Sequence, residues 1–107
     1  MSRPLKVQIV EKARALISDE KHWCRRHLAE GGNGVSVSPT SASAIKWCAL
    51  GALIAMAYQL TNDFDAAHQL SNEVLGAHCR SATLMHVNDI RGHAAVLTLF
   101  DEVIAAG

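Results

Sequence analysis

Aromatic residues are scarce in this chain: two Phe, two Trp and one Tyr among 107 residues. Alanine, leucine and valine do most of the filling, which favours closely packed helices over a large ligand cavity. Net charge is also missing, because ten basic residues balance ten acidic ones. A neutral chain has no global attraction for nucleic acid or for an anionic membrane. Long apolar runs are lacking as well. The longest, residues 47–58, falls well short of the roughly 18 residues that span a bilayer. Three cysteines, Cys24, Cys48 and Cys79, form an odd and widely spaced set, which is no disulfide framework and fits a reducing cytosol. Charges interrupt the apolar positions of "MSRPLKVQIVEKARALI", so the amino terminus does not read as a secretory signal. A cytoplasmic protein is expected, and 107 residues suit a single domain spanning 1–107.

What is present is half hydrophobic, enough for one buried core. Ile9, Val10, Ala13, Leu16 and Ile17 recur at helical spacing, with Pro4 suited to a first turn. Asn33-Gly34 accepts the positive φ angles of a tight turn, and Val35-Ser36-Val37-Ser38 alternates as a strand, so a short hairpin is expected over residues 27–38. Pro39 closes that ribbon, and Thr40, Ser41 and Ser43 offer caps for a helix over about 42–60. That helix is apolar nearly all round, which marks a central one. Thr61 to Asp63 can cap a further helix with Phe64, Ala67, Leu70 and Val74 on one side and Gly76 as its stop. "SATLMHVND" reads as a short turn. Val96, Leu99, Phe100, Val103 and Ile104 then form the face of a closing helix. The expected fold is mainly α: a bundle of four to five helices around residues 42–60, with the hairpin leaning on it.

Four places could carry chemistry. Cys48 on the central helix and His93 on the inward face of the last one, with Asn88 or Asp89 orienting the ring, would be the minimum set for a thiol nucleophile. Against this, a helix starting near Ser41 puts Cys48 about two turns inside, where the dipole helps little. Burial among Leu50, Leu53 and Ile54 would raise its pKa. "VNDIRGH" reads alternatively as a cap, Asn88 or Asp89 accepting the first amides of the closing helix. "KHWCRRH" gathers three cations and two histidines around Trp23, too few for a polynucleotide surface when the rest of the chain cancels them. His22, Cys24, His27, His78, Cys79, His86 and His93 are dispersed singles rather than a zinc set. No phosphate loop or dinucleotide fingerprint is present, so neither metal nor cofactor is expected.

"IKWCALGAL", followed some forty residues on by "VNDIRGHAAVLTLFDEVI", resembles a group of small uncharacterised bacterial proteins known only as a domain of unknown function. The shared pattern is W-C-A-x-G-A-L on one helix, an N-D pair, and a closing helix ending near D-x-x-I. A G-x-x-V ribbon like "GNGVSVSP" precedes the cysteine helix. The resemblance covers most of the chain after Trp23 and singles out Trp47, Cys48, Gly51, Asn88 and Asp89. It implies no substrate.

Two readings follow. The first is a non-catalytic helical protein that acts by binding a protein or small molecule, with surplus apolar surface that a second copy could cover as a homodimer. The second is a small thiol-dependent hydrolase or transferase using Cys48 and His93 with Asp89 or Asn88.

Overall fold

The computed structural model describes residues 4–75 and 81–107. Helix α1 (Leu5–Leu16) buries Val7, Ile9, Val10 and Ala13 on one side. A 3₁₀ turn (Glu20–His22), capped by the Asp19 carboxylate at the Lys21 amide, ends the approach to Trp23. Three two-residue strands follow: β1 (Ala29–Glu30), β2 (Ser36–Val37) and β3 (Lys46–Trp47). They form one antiparallel sheet in the order β2-β1-β3. Ala29 faces Val37 on one side and Trp47 on the other. The expected hairpin is present as β1–β2, with Gly34 at φ +73° in its turn.

The central helix is shorter than its sequence suggests. Helix α2 runs over Ala49–Thr61, not from residue 42. Residues 39–45 form turns, and Lys46–Trp47 pair with β1 as the third strand. The reason is that a two-stranded ribbon is marginal alone; β1 gains a second partner, and the Trp47 indole donates to Pro39 O at 3.0 Å to hold the intervening turns. From Ala49 onward the expectation holds. Ala49, Gly51, Ala52, Leu53, Ile54, Ala55 and Ala57 are buried, against α1, α3 (Phe64–Glu73) and α4 (Ser81–His86).

The Asp63 carboxylate caps α3 by accepting the Ala66 amide at 3.1 Å. Asn62, left-handed at φ 53°, ends α2. Gly76, His78 and Cys79 lie outside the described residues. After α4 the chain passes through a single π-helical turn (Val87–Arg91) into α5 (His93–Ala106), with Gly92 at φ +100° as the junction. Helix α5 buries Val96, Phe100 and Val103. Its outer Asp101 accepts from Nε and Nη2 of Arg14 on α1, at 2.5 and 3.2 Å. No helix among the described residues is long and apolar enough to cross a membrane.

Candidate functional site

The start of α2, the segment after Trp23 and the π-turn meet at one point, and Asn88 joins them. Its side chain is 1% exposed and makes four hydrogen bonds. Oδ1 accepts from Trp23 Nε1 at 2.7 Å and from the Ala49 amide at 2.9 Å. Nδ2 donates to Cys24 O at 3.1 Å and to Asp89 Oδ1 at 3.0 Å. A buried amide is tolerated only when its donors and acceptors are met, and here they are. The expectation that Asn88 caps the closing helix is thus corrected. Gly92 is the N-cap of α5 and no side chain caps it; Asn88 caps α2 instead, 39 residues back along the chain.

Cys48 is the N-cap residue of α2, not a residue two turns inside it. Its sulfur accepts the Gly51 amide at 3.3 Å, and its own amide donates to Leu28 O at 3.1 Å. A helix N-terminus favours a thiolate. Burial opposes that and is the larger effect: it pushes the Cys48 thiol up, while the Gly51 and Leu50 amides pull it part of the way back. Cys24 is pushed further, to about 12, first by burial and then by the negative charge of Glu30. Both thiols are therefore neutral near pH 7.

Gly51 explains how the segment before β1 comes so close. A Cβ at this position would overlap Leu28 O and crowd the Leu28 backbone. The small residue in "WCALGAL" is what allows strand and helix to touch.

Beside the sulfur lies a small cavity of about 70 Å³. Cys48, Leu28, Leu50 and Met85 line its apolar part; Arg26, His27, Asn88 and Asp89 line the rest. Three of the four residues singled out from sequence, Cys48, Asn88 and Asp89, therefore meet. His93 is not among the lining residues. It is the first residue of α5, with Nε2 2.6 Å from Ile17 O and its ring 5.4 Å from that of Trp23 at a 53° tilt. The imidazole on the cavity is His27, whose Nε2 is 3.9 Å from a Glu30 carboxylate oxygen. Arg26 and His27 both belong to the "KHWCRRH" cluster, which the sequence offers only as too weak a polynucleotide surface, and Leu28 and Met85 carry no chemical signal in the sequence.

Asp89 is occupied by the backbone too. Its Oδ1 accepts the amide of Arg26 at 3.0 Å, and Arg26 is left-handed at φ 71°. No group of three or more His, Cys, Asp or Glu side chains among the described residues is placed to hold a metal ion.

A helical domain with a small sheet buttressing the start of its central helix is the class this geometry defines. The chain belongs to the family described as "Family of unknown function (DUF6197)", whose model matches residues 1–106. No curated protein and no solved structure matches the chain.

Proposed function

We propose that the protein is a single-domain cytosolic protein that acts by binding rather than by thiol catalysis. One observation carries the reading: each of the four candidate side chains is engaged by main-chain groups. The Cys48 sulfur takes the Gly51 amide, Asn88 takes the Ala49 amide and gives to Cys24 O, Asp89 takes the Arg26 amide, and His93 meets Ile17 O. A nucleophile needs a base within reach and a thiol that ionises near neutral pH. Here the thiol is pushed up by burial and His93 is held elsewhere. The binding face is the one around Arg26 and His27, which line both the cavity beside Cys48 and a wider neighbouring groove.

Amide chemical shifts under a panel of small neutral and charged molecules test this. Ligands are expected to move residues 26–28, 48–50 and 85–89. A turnover activity abolished by Cys48→Ala would overturn the reading.

Pairing of two copies belongs to the same proposal. Val35, Ile45, Met85 and Ile90 are the apolar side chains left exposed near the sheet and the π-turn, Ile90 at 68%. Light scattering that finds only monomer at high concentration removes the homodimer.

A further inference from the structure

Two cations of the cluster before β1, Arg25 and Arg26, meet Lys46 of β3 at one place in the fold. Arg25, Arg26, His27 and Lys46 line a groove of about 490 Å³ together with Trp23 and Glu30. On a chain of zero net charge, three permanent cations against one carboxylate make a local concentration of positive charge.

Three features prepare these cations for a ligand. First, the Arg25 guanidinium lies over the Trp23 ring, 4.9 Å from its centroid. Gly92 leaves space for it, since a Cβ there would come within 3.1 Å of Arg25 Nη2. Stacking restricts the guanidinium plane while leaving its N–H fork available. Second, no carboxylate among the described residues forms an ion pair with Arg25, Arg26 or Lys46, and the groove's one carboxylate, Glu30, lies beside His27. Third, three consecutive residues reach one groove, whereas in an extended chain neighbours point to opposite faces. The left-handed Arg26 breaks that alternation, and Asp89 holds the break by accepting the Arg26 amide. Non-glycine residues keep such angles only where the surroundings impose them, commonly at binding sites.

We propose that this groove binds the phosphate group of a small phosphorylated molecule, with Arg25, Arg26 and Lys46 holding the oxyanion. The proposal names the ligand of the binding face inferred above and rests on that reading. Arginine forks match phosphate oxygens in pairs, and lysine adds a point charge. A polynucleotide is a poorer fit, because Glu30 interrupts the groove and the chain as a whole has no excess of positive charge.

The test is titration of the full chain with pyrophosphate and with phenyl phosphate, read by amide shifts, with phenol and a single-stranded oligonucleotide as comparisons. Both phosphates should move the amides of residues 23–30 and 46. Arg25→Gln, at an exposed position, and Lys46→Gln, at a half-buried one, should each weaken binding roughly tenfold while the melting temperature is retained. Binding unchanged in both variants, or no shift at millimolar pyrophosphate, overturns the proposal, as does an oligonucleotide that binds where the small phosphates do not. If phenol alone shifts residues around Leu28 and Met85, the phosphate assignment fails and the binding reading stands. If no probe binds anywhere, both fail.

Discussion

Asn88 Oδ1 accepts the amide of Ala49 at 2.9 Å, so the central helix is capped by a residue from a different turn of the molecule. The same oxygen holds the Trp23 indole and the same side chain holds Cys24 O. One amide thus fixes the segment before the sheet, the start of α2 and the π-turn relative to each other.

Asn88→Ala should be strongly destabilising. It strands the buried Trp23 and Ala49 donors and the Cys24 carbonyl, at about 1–3 kcal/mol for each unmet group, so a total loss of at least about 3 kcal/mol is expected. Asn88→Asp should be no better, since it sets a buried carboxylate against Cys24 O and Asp89. Urea unfolding monitored by circular dichroism measures both.

Gly51→Ala should destabilise despite a helix propensity gain of about 1 kcal/mol. The new methyl would overlap the Leu28 backbone, and the strand cannot retreat without breaking the Cys48 amide bond to Leu28 O. A lowered melting temperature is expected. A raised one would mean that strand and helix are not in contact.

Cys48→Ser and Cys48→Ala should differ. Serine keeps an acceptor for the Gly51 amide and is a preferred N-cap, so its effect should be within about 0.5 kcal/mol. Alanine loses the cap and leaves space beside the existing cavity, for a cost of about 1–2 kcal/mol. Equal stabilities would show that the sulfur does not cap.

Much of the helical layout was legible in the sequence, because amphipathic spacing and Asp63-type caps act over a few residues. The start of α2 was not. Thr40, Ser41 and Ser43 are credible local caps, and apolar residues resume at Ala44 with Lys46 as the one charge before Tyr58. What stops the helix there is the pairing of Lys46 and Trp47 with a strand 17 residues away in the chain, as Ala29↔Trp47 and Glu30↔Lys46 record 18 and 16. The Asn-Asp pair shows the same limit. Its capping chemistry was read correctly and assigned to the wrong helix, because Ala49 and Trp23 are distant in sequence. Placing His93 on an inward face was sound as far as periodicity goes, but spacing along one helix says nothing about which neighbour the ring meets.

Alkaline stability should be limited by Cys24. Below about pH 9 its thiol is protonated in both folded and unfolded chains and adds no pH dependence. Between pH 9.0 and about 12 the unfolded chain releases the proton and the folded chain keeps it. Stability therefore falls as pH rises, by at most about 1.4 kcal/mol per pH unit from this group. Cys48, raised in the same sense, adds to the fall. Unfolding free energies compared across this range should decline less steeply in Cys24→Ala than in the natural sequence.

The most direct measurement is the rate at which iodoacetamide alkylates Cys48 in the native protein, resolved by peptide mass spectrometry as a function of pH. A buried, neutral capping sulfur should react only as the chain unfolds, so the rate should track added urea and show no ionisation midpoint below that of an ordinary thiol. Rapid native alkylation of Cys48, with a midpoint well under pH 9, would contradict the account and restore the thiol as a nucleophile.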